Sequence, residues 1–243
     1  MIKIIEKLLN MDDYDCEAVY TPAIINLIIL EFVFTCTLLP VVENTVWWFA
    51  TTTLISLAAA TLLTRFIMHF FRAVSRVIFE DLLYRKDRLN FPTTSMLLIG
   101  DHSISQTMKQ RIRDDLKTQY NMTLFTKSKE TADEMEARRT AKDAVALIRK
   151  TVSASKDITT HRKLKRYGMF RNFLGGAVFC FPLSVTCWAI DFSHTGTSNT
   201  IILTVLILYL LLIMIDFLIT KNAAMDYAET LITTFDKLNH NEA

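Results

Sequence analysis

A chain of 243 residues that is 51% hydrophobic, with only 5 Gly and 4 Pro, does not read as a soluble globular domain, a disordered segment or a turn-rich β fold. Its formal charge of +2 is close to neutral but unevenly distributed. Of the four cysteines, Cys36, Cys180 and Cys187 lie in apolar runs and Cys16 in an acidic segment. With no CxxC pair and no zinc-spaced Cys/His set, they read as packing residues and one free thiol.

Residues 1–9 (MIKIIEKLL) are amphipathic and precede Asp12, Asp13, Asp15 and Glu17, with no small-residue cleavage site. They read as a short helix at the membrane or on the protein's own cytoplasmic face, not a secretory signal. A hydrocarbon core of about 30 Å needs roughly 20 mostly apolar residues per helix. Four runs meet this: Ala23–Pro40, Val46–Thr64 with Trp47 and Trp48 at its start, Phe173–Phe192 with Trp188 near its end, and Thr200–Thr220. They lack strand alternation, so the expected fold is an all-α membrane protein with four transmembrane helices in two hairpins.

The second span is expected to run on past the membrane. Arg65, His69, Arg72 and Arg76 follow steps of four, three and four, which places them on one helical face. No Gly or Pro intervenes before Pro92, so one helix could extend from Val46 to about Lys86, roughly 60 Å. The stripe reads either as contact with lipid headgroups or as a basic vestibule below a pore. Pro92 then ends the helix. Ser103 or Ser105 can cap a helix to about Tyr120, a second helix is expected from about Lys129 to Val152, and Thr160–Met169 feeds the third span.

The loops set the orientation. Val41–Thr45 and Ser193–Asn199 carry no Lys or Arg, whereas residues 72–171 hold 22 Lys+Arg against 12 Asp+Glu. By the positive-inside rule both termini and the inserted domain face the cytoplasm. The expected organisation is an N-terminal segment and first hairpin over 1–71, a basic helical domain over 72–171, the second hairpin over 172–221 and a cytoplasmic tail over 222–243. Part of the basic surplus is the positive-inside effect itself. The remainder favours an anionic partner such as a nucleotide or single-stranded oligonucleotide, with Arg65, His69, Arg72, Arg76, Arg111, Arg113, Arg138 and Arg139 as candidate contacts.

No Walker, GxSxG, HExxH or kinase-like pattern occurs, and the five histidines are scattered. An enzyme is not expected, nor a metal site or cofactor. Within the spans, Glu31 lies near the middle of the first, four residues before Thr35. A charge there is costly, so it should face water or protein. Glu43, Asp191 and Asp216 read as interfacial and solvated. Thr53, Ser56, Ala60 and Thr64 form a small, polar stripe on the second span that suits close packing or a pore wall. Glu31, Thr35, Thr53, Ser56 and Thr64 are thus the pore candidates. Four helices enclose little of a channel alone, so a conducting path would need a homo-oligomer.

Phe91–Pro92–Thr93–Thr94 with Met96–Leu97–Leu98, and Tyr167–Gly168–Met169–Phe170–Arg171–Asn172–Phe173–Leu174–Gly175–Gly176, resemble blocks in small four-span membrane proteins of bacterial defence loci. They are similar to the membrane effector of the Hailong-type anti-phage system. That resemblance implies a tetrameric channel in the bacterial inner membrane, held in check by DNA oligomers that a partner nucleotidyltransferase makes. Two other readings stay open from the residues: a non-conducting scaffold that recruits a cytoplasmic protein, and a transporter. The transporter lacks an internal repeat or paired broken helices.

Overall fold

The computed structural model describes residues 12–38, 65–84, 89–197 and 199–240, which are helical and contain no strand. The second expected span, with Thr53, Ser56 and Thr64, lies outside the described residues, as does the 1–9 segment. Helix α1 is Thr21–Leu38, extended backwards by a π-helical stretch Cys16–Tyr20 and a turn Asp13–Asp15. Asp12 caps that turn, its Oδ1 accepting the Asp15 N–H at 2.6 Å. Helix α2 covers 65–75 and continues through a π-helical stretch Arg76–Glu80 into Asp81–Tyr84. Each π turn holds an extra residue, so side chains beyond Arg76 leave the face that Arg65, His69 and Arg72 share.

Pro92 opens the next segment. It sits in the first turn of α3, Pro92–Met96, where a missing N–H costs nothing. Helix α4, Gln106–Tyr120, starts where Ser105 Oγ accepts the Met108 N–H at 3.2 Å and stops at Asn121, whose left-handed φ of 50° returns its N–H to Leu116 O. The helix expected over 129–152 is two helices, α5 Lys127–Ala132 and α6 Glu134–Ala154. Asp133 divides them: its extended backbone ends α5 while its carboxylate caps α6 by accepting the Glu136 N–H.

Helix α7 is one piece from Ile158 to Thr195, and α8 one piece from Thr200 to His240. Asp157 caps α7, accepting the Thr160 N–H at 2.6 Å, and that bond holds its carboxyl below the usual range. Loss of such a cap costs about 1 kcal/mol. Because the folded-state pKa is depressed, this contribution is present above the ordinary carboxylate range and disappears as pH falls through the depressed value. Asp157→Asn should therefore unfold with a shallower acid limb, read by circular dichroism across pH 2–5. Between α7 and α8, Gly196 adopts φ 66° and donates to Phe192 O, the left-handed C-terminal cap that favours glycine.

Three described helical stretches are long and apolar enough to cross a membrane: Asp13–Thr37, Ile158–Thr195 and Thr200–His240. The protein is an all-helical chain of membrane-protein character. Its residues divide into two compact units, Met1–Phe79 with Gly168–Thr220, and Glu80–Tyr167 with Lys221–Ala243. In the first unit the core joins Ala18, Val19 and Ala23 to Met68 and Phe71 of α2, Phe173, Ala177 and Cys180 of α7, and Tyr209 of α8. A smaller cluster joins Val33 to Ile202 and Leu206, with Val185 and Trp188 against it. All four cysteines are free.

The second unit buries Ile112 and Leu116 of α4, Ala137, Ala141, Ala144 and Ile148 of α6, and Ala224, Ala228, Leu231, Ile232 and Phe235 of α8. Polar contacts reinforce it: Arg111 grips Asp236 through two nitrogens at 3.0 and 2.6 Å, Asn239 donates to Asp115, and Lys163 pairs with Asp226 at 3.1 Å. Lys109 is buried, its Nζ donating to Leu98 O at 2.6 Å and to Asp101 O. It thereby ties down the loop before α4.

Substituting Met for Lys109 leaves those carbonyls without their donor and should cost about 1–3 kcal/mol, measured by denaturant unfolding in detergent. Burial holds the Lys109 ammonium below its usual pKa, so the folded chain gives up this proton before the unfolded one. The burial penalty is present at neutral pH and shrinks as pH rises through the lowered value, a slope that Lys109→Met removes.

Candidate functional site

Three glycines of α7 allow unusually close helix contacts in the first unit. A Cβ on Gly175 would lie 2.4 Å from Phe71 O and 2.6 Å from Ser75 Cβ, so α2 backbone occupies that space. One on Gly176 would meet Asn26 Nδ2 at 2.7 Å, and one on Gly168 would meet the Tyr14 hydroxyl at 2.7 Å. The stretch Gly175–Gly176 is therefore the point where α1 and α2 both press on α7.

Two buried asparagines bind this junction. Asn26 Nδ2 donates to Pro22 O at 2.8 Å and Phe173 O at 3.1 Å, and its Oδ1 accepts from the Tyr209 hydroxyl. Asn172 Nδ2 donates to Ala18 O at 2.6 Å, and its Oδ1 accepts from Ser75 Oγ at 2.8 Å and from Arg171. Four helices are thus joined by side-chain amides whose bonding needs are met inside the bundle, which fixes their register. The sequence reading did not single out Asn26, Ser75, Asn172 or Tyr209. An Asn within an apolar run, and a Gly–Gly pair seven residues beyond Gly168, were the available signals.

Asp216, expected to be solvated at the inner end of the fourth span, is instead only 6% exposed, and so is Asp191 nearly buried at 9%. Asp216 shares a face of α8 with Tyr209, Ile213 and Thr220, at steps of four, three and four, and that face is turned to the core.

The helical register decides the depth of the charged residues. Along α7, Asn172 meets Ser75, Gly175 and Gly176 meet Phe71, and Phe179 lies 4.9 Å from Phe70, so α2 runs antiparallel to it. Helix α1 runs parallel: Asn26 meets Phe173 and Gly176, and Val33 joins the cluster of Val185 and Trp188. Arg65 precedes Phe71 by six residues, about 9 Å of helix. Arg65 and His69 therefore stand beside the 176–182 stretch of α7, well inside the apolar run Phe173–Phe192. Glu31, between Asn26 and Val33, falls between the levels of Gly176 and Val185. Residues expected to follow the second span are thus level with the third.

All of these charged groups are exposed on the single chain. Glu31 and Thr35 lie on the outer side of α1 beside Ile28 (58% exposed) and Phe32. Arg65 and His69 lie on the outer side of α2 beside Phe66 (66% exposed) and Phe70. Among the described residues neither Glu31 nor Arg65 forms an ion pair. Arg72 differs: it binds Asp15 at 3.0 Å and lies over the Tyr14 ring at 5.5 Å. Arg76 is exposed on the π-helical stretch.

In the second unit the candidate arginines are held by carboxylates. Arg111 binds Asp236; Arg113 binds Glu130 at 2.8 Å and the carbonyls of Phe125 and Leu97; Arg138 binds Glu134 at 2.8 Å. Arg139 meets Glu136 at 3.5 Å with both side chains half exposed, the loosest of these pairs. Glu130 also accepts the Ile99 N–H. A recess of about 570 Å³ beside it is lined by both signs, with Asp101, Glu130 and Glu134 facing Lys127 and Arg138. That lining is no trap for an anion.

No family model matches the chain, and no curated protein or solved structure gives a significant match. Function must therefore be argued from the geometry. One open cationic surface of the second unit is a side of α6. There Met135, Arg139, Lys142, Ala146, Arg149 and Ser153 are all exposed at alternating steps of four and three, opposite the buried Ala137, Ala141, Ala144 and Ile148. Lys142 and Arg149 were not among the candidates read from the sequence, because packing against the rest of the unit decides which face of α6 stays open. Tyr84 and Phe91 are core residues at 8% and 7% exposure, with rings 5.0 Å apart, and so offer no surface on which a base could stack. Burial beside Glu80 pushes the Tyr84 hydroxyl up to about 12.

Proposed function

We propose that the protein is an oligomeric effector of the bacterial inner membrane, in which assembled spans form an ion-conducting path controlled by an anionic cytoplasmic ligand. The observation that carries this reading is the exposure of Glu31 with Thr35 on the apolar face of α1, at the depth of mid-span residues of α7. A carboxylate at the centre of a lipid-exposed helix costs about 2.5–3.5 kcal/mol, so it favours assemblies that give it water or protein. Glu31 either borders the conduction path or supports it. The ligand would be a nucleotide or single-stranded oligonucleotide, meeting Arg139, Lys142 and Arg149 on α6. Both termini and the second unit would lie on the cytoplasmic side. A role in anti-phage defence, with a nucleotidyltransferase as ligand source and a tetrameric assembly, follows from the resemblance of the two sequence blocks.

Flux from liposomes holding the purified protein tests the reading, with and without oligonucleotide. Glu31→Gln should lower the open-state flux on the order of tenfold. Lys142→Ala with Arg149→Ala should weaken oligonucleotide binding and flatten its salt dependence by about two phosphate contacts. The other reading is a scaffold that conducts nothing, favoured by the carboxylate partners of Arg72, Arg111, Arg113 and Arg138. Absence of flux in every ligand condition would select it.

A further inference from the structure

The two exposed charged faces of the first unit carry opposite signs at one depth. Glu31 is on α1, Arg65 and His69 are on α2, and all three lie level with the 176–185 stretch of α7. Each is flanked by exposed apolar side chains, Ile28 and Phe32 on one helix, Phe66 and Phe70 on the other. A lone chain would thus present both an acid and a base to hydrocarbon. Either charge in lipid is expensive, and the cost falls sharply when the two meet. The faces differ, so contact between them is head to tail, and head-to-tail contacts that close generate a ring.

We infer that the chain's own partner is a second copy, docked so that Glu31 on α1 of one protomer pairs with Arg65, seconded by His69, on α2 of the next. The inference rests on the membrane-spanning reading and gives that assembly its interface. The flanking residues fit the role. Ile28 and Phe32 meet Phe66 and Phe70 around the ion pair, which shields it from lipid and leaves a dry, apolar rim of the sort that makes a bridged charge effective. A protein partner of another kind would have no need for complementary charges on two faces of this chain.

Cross-linking tests it directly. In a background with Cys16, Cys36, Cys180 and Cys187 replaced by Ser, Glu31→Cys and Arg65→Cys are placed on separately tagged chains and co-expressed. Oxidation should yield a disulfide-linked dimer carrying both tags. A single chain carrying both substitutions is oxidised in parallel: a disulfide formed only there, at monomer mobility, would show an internal pair and overturn the inference, as would no cross-link at all.

Charge exchange covers the case in which the cysteine-free chain does not fold. Glu31→Arg and Arg65→Glu alone should each cut the assembled fraction in detergent by about tenfold, and the two together should restore it to within about twofold. A double variant no better than either single one is the contrary result. Flux is measured in parallel: cross-links without flux leave this interface standing and remove the channel, and flux without cross-links does the reverse.

Discussion

Phe235→Ala should destabilise the second unit by about 3–5 kcal/mol, the range for deleting a fully buried aromatic side chain. Phe235 is 0% exposed and sits on the helical face that also buries Ala224, Ala228, Leu231 and Ile232. Its neighbour Asp236 holds Arg111 of α4, so the same turn of α8 supplies both the apolar contact and the ion pair. Thermal unfolding of the detergent-solubilised protein, followed by circular dichroism, should show a separate early transition in the variant. Removal of residues 222–243 should be more severe. If the truncated chain retained the native unfolding profile, α8 beyond Thr220 would be an appendage and not part of that unit.

Gly175→Ala should lower stability by about 1–3 kcal/mol, and Gly175→Leu should prevent recovery of a monodisperse protein. The added methyl would stand 2.4 Å from Phe71 O, which is backbone and cannot rotate away. The cost is steric: α2 must move off α7, stretching the Ser75–Asn172 hydrogen bond and the Asn26 contacts beside it. Gly100→Ala provides the contrast, because nothing lies within 4 Å of a Cβ there. Size-exclusion profiles and melting curves of the two variants check the difference. Similar behaviour of Gly175→Ala and Gly100→Ala would show that the close approach of α2 is not needed.

Much of the fold could be read along the chain. The length of each apolar run, the scarcity of Gly and Pro and the lack of strand alternation point to membrane-length helices, and Ser105, Asn121 and Pro92 mark boundaries by local chemistry. Local rules also misled. Residues 222–243 read as a tail, yet Ala223, Ala224, Tyr227, Ala228, Leu231, Ile232 and Phe235 repeat at helical spacing and are buried. Asp133 reads as one more acidic residue in a helix until its extended backbone divides α5 from α6.

The candidate site was less legible, since a charge pattern does not reveal which partners fold alongside it. Arg72, Arg111, Arg113 and Arg138 look alike in sequence to the exposed Lys142 and Arg149, but folding brings Asp15, Asp236, Glu130 and Glu134 to the first four. The depth of Arg65 was equally hidden, because it depends on the antiparallel register of α2 and α7. What the sequence determined alone is the helical, membrane-length character of the chain and the stripe on α2, for these follow from periodicity within one segment. Tertiary structure decided which charges are satisfied and which are left facing outward. Ion pairing and burial depend on contacts between segments as far apart as Arg111 and Asp236, which no local pattern encodes.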